Sequence, residues 1–183
     1  MQNIHILRHF KVKDDTKIKL NSFEFNQWVS LYDTFPLDYV DIEIPKVNKV
    51  YVSSQKRAIE SANYLKLDFN KSDLLREVEA KSFINTNLKF PKNFWLFIDR
   101  FLWFFNLKKS GENRKDTYKR VYKFVDIIKY EENILIVSHG LFLKILTKEL
   151  EKLGYKGNKD WGIKNAKIYH FRKDNIYEKS KNY

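Results

Sequence analysis

Apolar residues follow two rhythms along the chain. Short β-branched runs at residues 4–7, 50–52 and 134–137 end abruptly in polar residues, as buried strands do, while longer segments repeat their apolar positions every three or four residues. Ile134-Leu135-Ile136-Val137 is the clearest strand, and its lack of alternation predicts a parallel sheet covered on both faces. A helix is expected to start at Asn21-Ser22, an N-cap signal, and to break near Pro36. A second is predicted over 55–67, with Ile59, Ala62 and Leu65 on one face and Ser54 as its cap. After Pro91, Phe94, Phe97, Ile98, Phe101 and Phe105 fall at the spacing of one helical face. Further helices are predicted over 115–130, with Tyr118, Val121, Tyr122, Val125 and Ile128 inward, and over 141–153. Residues 68–91 read as irregular, with a short piece around 74–78, and 108–114 as a break. The tail offers two strand-like pieces, 166–171 and 176–178, about a turn at Lys173-Asp174-Asn175. This alternation predicts one domain over residues 1–183, a three-layer α/β/α sandwich with a mostly parallel central sheet and helices on both faces.

Composition narrows the class. The 183 residues are 43% hydrophobic and 16% aromatic, enough to build a core and too much for disorder along the whole chain. There is no cysteine, which removes disulfides, thiolate metal sites and a Cys nucleophile, and fits a reducing compartment. The first nine residues hold too short an apolar run for a signal peptide, so a cytoplasmic location is the expectation. The aromatic stretch 90–107 is interrupted by Pro91, Lys92, Asp99 and Arg100, whereas a spanning helix needs about 20 mostly apolar residues.

Thirty-five Lys and Arg against 23 Asp and Glu leave a formal charge of +12, which first points to a polyanion. The surplus grows toward the C-terminus without forming a block, and lysines outnumber arginines 28 to 7. That pattern fits a solvated surface better than guanidinium forks that read bases, and no nucleic-acid partner is expected.

Candidate chemistry gathers at strand ends. Arg8-His9 follows the first strand, Arg57 lies just beyond the second, and His139 follows the strand at 134–137. In an open parallel sheet ligands bind at the carboxyl edge, so these side chains are expected to share one crevice, and phosphate is the ligand that most rewards such a set. His5 and His170 read as structural or surface groups.

On these residues the chain resembles the histidine phosphatases of the phosphoglycerate mutase-like superfamily. Leu7-Arg8-His9-Phe10 is similar to the family's Arg-His-Gly signature, and the run from Val50 to Ala62, with Ser53 four residues before Arg57-Ala58, resembles its second signature. Leu75-Arg76-Glu77 looks like the segment that supplies the acid. Gly111-Glu112-Asn113 with Arg120-Val121 resembles the pattern before the last catalytic strand, and residues 134–140 look like the second-histidine signature. Phe10 stands where the family has Gly, and Lys11-Val12 replaces the residues that commonly follow.

The resemblance implies a phosphoglycerate mutase-like fold and a metal-independent phosphomonoester hydrolase, with no cofactor, acting through a phosphohistidine on His9. Arg8, Arg57 and His139 would bind the phosphoryl group, with His139 also assisting the chemistry. Glu77 would be the general acid, with Glu79 its rival because spacing alone does not separate them, and Lys11 is a further pocket candidate. Phosphoglycerate mutase-type transfer and a non-catalytic phospho-ligand or partner-binding module on the same fold are the competing readings. A small phosphorylated substrate is the expected partner. The aromatic helical segment at about 90–107 is expected to cover the pocket, and Trp95, Phe97, Trp103 and Phe104 are candidates for contact with a membrane surface, an apolar leaving group or a partner subunit.

Overall fold

The computed structural model describes residues 1–16, 19–158, 160 and 162–174. From the N-terminus the chain forms β1 (Gln2–Arg8), β2 (Lys11–Val12), β3 (Lys19–Leu20), α1 (Ser22–Leu31), a 3-10 turn (Tyr32–Thr34), β4 (Leu37–Asp38), β5 (Lys49–Ser53) and α2 (Lys56–Tyr64). It continues with β6 (Asn70–Ser72), a second 3-10 turn (Asp73–Leu75), β7 (Phe90–Pro91), α3 (Lys92–Phe104), α4 (Arg114–Ile128), β8 (Asn133–Ser138), α5 (Gly140–Lys152), β9 (Lys156–Gly157) and β10 (Ile168–Lys173).

The main sheet has the order β6-β5-β8-β1-β10-β9. Its first four strands are parallel, whereas β10 runs antiparallel to β1 and β9 antiparallel to β10. Side-chain alternation sends Ile4, Ile6, Tyr51, Ile134 and Ile136 into a core shared with Val121, Phe124 and Ile128 of α4 and Phe142, Leu146 and Leu150 of α5. Leu7, Val50, Val52, Leu135 and Val137 point the other way, onto Ala58 and Ala62 of α2. The sheet is therefore covered on both faces, which is why β8 is buried without a break from Ile134 to Ser138.

A smaller cluster of Leu20, Phe25, Ala80 and Trp95 joins α1 to α3 beside this sandwich, and the β3–β7 ribbon ties the same pair together. Helix α1 begins as predicted, with Asn21 and Glu24 forming a reciprocal capping box, and Asn113 with Asp116 does the same for α4.

Several expectations from periodicity need correction. The inward face of α3 is Trp95, Asp99 and Trp103, while Phe94, Phe97, Phe101 and Phe105 are exposed. The tryptophans go inside because each indole N–H finds an acceptor there: Trp95 Nε1 donates to the Leu20 carbonyl at 2.8 Å and Trp103 Nε1 to Thr117 Oγ1 at 3.0 Å. In α4 the buried aromatic is Phe124, and Tyr122 is 52% exposed, so the face is turned by about half a helical step from the one expected.

Ser54 does not cap α2. Gln55 is the N-cap, without a side-chain bond, and the Ser54 hydroxyl pairs with Asp73 because the chain is still in the β5–β6 ladder there. In α2 the side chains buried deepest are Arg57, Ala58, Ser61 and Ala62, with Ile59 at the margin. The irregular stretch contains the edge strand β6, too short and polar to announce itself. The last sheet strand starts at Ile168, since Ala166 adopts a left-handed conformation at φ 54°, and it runs through Lys173. The predicted piece 176–178 lies outside the described residues.

The two faces of α4 make separable predictions. Phe124→Ala is expected to cost about 3–5 kcal/mol of unfolding free energy in urea, and Tyr122→Ala less than about 1 kcal/mol.

Candidate active site

Strand register brings the candidate residues together. Arg8 pairs with Ser138 across β1 and β8, and Val52 with Val137 across β5 and β8, so the three strands stop at nearly the same level. The chain leaving β1 continues as His9, whose N–H donates to the Ser138 carbonyl at 3.0 Å, and the chain leaving β8 continues as His139, the N-cap of α5. Their imidazole centroids are 5.1 Å apart.

His9 is held as one tautomer. Its Nδ1 lies 2.6 Å from the Phe10 carbonyl oxygen, which only a protonated nitrogen can satisfy, so Nε2 keeps its lone pair and accepts from Arg57 Nε at 3.2 Å. Burial, the Arg57 charge and, more weakly, Arg8 push its pKa down to about 3 against the opposing pull of the Phe10 carbonyl. The imidazole is neutral at physiological pH. His139 is also driven well below its ordinary value, first by burial and then by Arg57, His9 and Arg8.

Arg57, in the first turn of α2, uses its other nitrogens on Asp33 Oδ1 at 2.5 Å and Gln55 Oε1 at 3.4 Å, and it lies over the Tyr32 ring. Arg8 gives one Nη1 bond to the Ile163 carbonyl at 3.0 Å. Its guanidinium packs on Gly140, where a Cβ would meet the Arg8 Cζ at 3.0 Å, so the glycine after His139 makes room for the arginine. His139 Nε2 lies 2.7 Å from Ser53 Oγ.

Among the described residues, only Arg8 Nε and His139 Nδ1 are buried side-chain nitrogens without a hydrogen-bond partner. Both belong to this site, and leaving such groups unmatched is costly unless a ligand completes them.

Glu77 and Glu79 occupy different positions. The Glu77 carboxylate accepts from the Leu141 and Phe142 amides at the start of α5, both at 3.1 Å, and from the Val78 amide at 3.0 Å. Its own amide donates to Gln55 Oε1 at 2.7 Å. Arg120 fixes this loop by donating to the Leu74 and Arg76 carbonyls at 2.6 and 3.0 Å while its other nitrogens bind Glu112 at 2.9 and 2.8 Å. Glu79 is exposed at the rim. Lys11 does not join the site: it is the outward residue between buried Phe10 and Val12 on β2, as strand alternation requires.

The cleft has a volume of about 410 Å³, and its lining includes Arg8, His9, Arg57, Glu77 and Glu79. The rest of the lining includes Trp28, Val29, Tyr32 and Asp33 from α1 and the turn after it, and Leu96 and Arg100 from α3. Asp33 and Gln55 are the residues that sequence reasoning missed. Asp33 follows a helix with no motif around it, and Gln55 had only its place beside Arg57 to mark it.

Residues 39–180 match the model of the Histidine phosphatase superfamily (branch 1). The chain belongs to that superfamily. The matched stretch begins after Arg8-His9-Phe10, the segment where Phe10 replaces the family's Gly. The Phe10 ring fills a buried site against Tyr39 and Tyr64, with centroids at 5.3 and 5.4 Å, while its carbonyl serves His9.

A mycobacterial hydrolase is similar in structure, with a TM-score of 0.54 and 14% identity over 93% of this chain and 88% of that one. A mycobacterial glucosyl-3-phosphoglycerate phosphatase complexed with VO3 also has a TM-score of 0.54, at 15% identity over 93% and 92% of the two chains. A putative alpha-ribazole-5'-P phosphatase from Escherichia coli has 0.52 at 19% identity over 81% and 79%. At these identities the likeness concerns the fold of this histidine phosphatase superfamily member. No curated protein matches the chain.

The neutral histidines make stability depend on pH. The unfolded chain binds protons near pH 6.5 that the native His9 refuses down to about 3, so stability is full above the unfolded value and falls as pH drops through that window. For His9 the expected loss is about 1.4 kcal/mol per pH unit below 6.5. Urea unfolding at pH 7 and pH 5 should show a smaller pH dependence for His9→Asn than for the parent, by about 2 kcal/mol over the interval.

Proposed function

We propose that this chain is a metal-independent phosphomonoester hydrolase that works through a phosphohistidine on His9. The observation that carries the reading is the state of His9: Nδ1 tied to the Phe10 carbonyl, Nε2 carrying a lone pair, and two guanidinium groups beside it. A neutral imidazole of fixed tautomer is the form that attacks phosphorus. The unmatched nitrogens of Arg8 and His139 support a phosphoryl group lying between them.

In the first half-reaction His9 Nε2 bonds to phosphorus as the bond to the ester oxygen breaks. Glu77 enters this step as the neutral carboxylic acid, gives that oxygen its proton, and is left as the carboxylate that the α5 amides hold. The charge on the phosphoryl oxygens is met by Arg8, Arg57 and His139, which supply the electrostatic stabilisation that dominates phosphoryl transfer. In the second half, water attacks phosphorus, Glu77 takes its proton, and the P–N bond breaks to release phosphate and neutral His9.

Glu77 is favoured over Glu79 because its carboxylate is anchored at the start of α5, one residue beyond the helix-opening Gly140, whereas Glu79 is exposed. Hydrolysis is favoured over transfer to a second site on a retained substrate, since the cleft rim at Arg76 and Glu79 is open to water.

Turnover of a panel of phosphomonoesters in the presence of EDTA tests the reading. The expected result is activity unaffected by chelation, none in His9→Ala, and a phosphohistidine trapped by acid quench in the parent. Glu77→Gln should lower kcat by about 10²–10⁴-fold while inhibition by inorganic phosphate is retained. No turnover on any ester and no trapped phosphohistidine would overturn it. Asp33 holds a negative charge against Arg57, so Asp33→Asn should lower the inhibition constant of phosphate about three- to tenfold.

A further inference from the structure

The outer face of α3 has a composition that a solvent-facing helix does not ordinarily carry. Around the helix, Phe94, Phe97, Phe101 and Phe104 fall at successive steps of three or four residues and all four are exposed, Phe97 by 65%. Phe105 extends the stripe at the C-cap, and Phe83, itself partly exposed, meets Phe94 at its other end. At the C-terminal end of the stripe the rings pack on one another, with Phe101 and Phe105 centroids 4.8 Å apart and Phe104 and Phe105 5.1 Å apart. Helices normally turn such a stripe inward. Here the inner face is already occupied by Trp95, Asp99 and Trp103.

Charge identifies the occupant. Residues 81–119 hold nine Lys and Arg against three Asp and Glu; Lys89 and Lys92 pair with Glu24 and Asp14 outside the segment, which leaves a surplus of four positive charges. Arg114 lays its guanidinium over the Phe104 ring at 4.3 Å, at the edge of the patch, and Lys115, next to it in the chain, and Lys109, between α3 and α4, are exposed. Bulky aromatics rimmed by cations match the two layers of an anionic bilayer surface, with rings at the acyl boundary and cations among the headgroups. A protein partner with an apolar groove would use the rings and leave this cationic surplus unmatched. No helix among the described residues is long and apolar enough to cross a membrane, so the contact is one of surface docking.

We infer that the exposed phenylalanine face of α3, with the cations at its C-terminal end, docks this protein on anionic lipid bilayers. The same helix contributes Leu96 and Arg100 to the wall of the catalytic cleft. Docking through Phe97 and Phe101 therefore holds the cleft about one helix diameter, roughly 10 Å, from the lipid surface.

Flotation with vesicles of equimolar phosphatidylglycerol and phosphatidylcholine, against phosphatidylcholine alone, tests the inference on the full chain. The parent should partition into the anionic vesicles at 50 mM salt at least about tenfold more strongly than into the neutral ones, and lose most of that at 500 mM. The double variant Phe97→Ser, Phe101→Ser should bind at least about tenfold more weakly and keep its turnover of a small soluble aryl phosphate. Lys109→Glu with Lys115→Glu reads the same contact through charge and should also weaken it. Absence of the parent from floated anionic vesicles, or undiminished flotation of both variants, would overturn the assignment. So would a dimer in sedimentation that the phenylalanine substitutions dissociate, since the face would then belong to a second copy.

Discussion

The Arg57 guanidinium makes contacts in several directions at once: toward His9 Nε2, toward the Asp33 carboxylate, toward Gln55 and onto the Tyr32 ring. The residue is 7% exposed. A cation placed this deep is tolerable only when its donors are matched, and Asp33 and Gln55 supply part of the match. Its field in turn keeps His9 and His139 unprotonated, because an imidazolium beside it would bring a second positive charge into the same buried space. Gln55 links this arrangement to the Glu77 loop by accepting that residue's amide, so the basic and acidic halves of the site share one side chain.

Rigid elements outside the cleft hold these groups in place. The sheet places His9 and His139 by register alone, since β1 and β8 end opposite one another. The Glu77 loop has no such ladder, and Arg120 and Lys108 tie down its carbonyls instead, Lys108 by a 2.8 Å bond to the Glu79 oxygen. The Lys108 ammonium also meets the Asp99 carboxylate at 2.8 Å, and Asp99 accepts from the Lys81 amide. The buried face of α3 is thereby wired to the segment that carries Glu77, and the helix forms a fixed wall of the cleft.

That wiring explains why hydrophobic periodicity misjudged α3. Counting apolar positions favours the phenylalanine stripe, which is the more apolar face. The inner face instead contains two indoles and a carboxylate, each with a polar partner inside: Leu20, Thr117, and Lys108 with Arg100. Hydrogen bonding of buried polar groups outweighs apolar count here, and such partners are far away in sequence. The same kind of shift, on a smaller scale, turned Tyr122 outward and Phe124 inward in α4.

Local sequence was sufficient for the strands at 4–7, 50–52 and 134–137, for the capped start of α1, and for the residue types Arg8, His9, Arg57 and His139 at strand ends. A continuous β-branched run has one low-energy use in a covered sheet, and polar residues at its end then lie on the sheet's carboxyl edge. What local sequence left open was decided by tertiary structure: the tautomer of His9, the separation of Glu77 from Glu79, the outward turn of Lys11, and the contribution of Asp33. Each depends on a partner brought close only by folding, such as the α5 amides 64 and 65 residues beyond Glu77. Short-range patterning dictates which residues stand at the edge of the sheet, and long-range hydrogen bonds and charge dictate what each of them is able to do there.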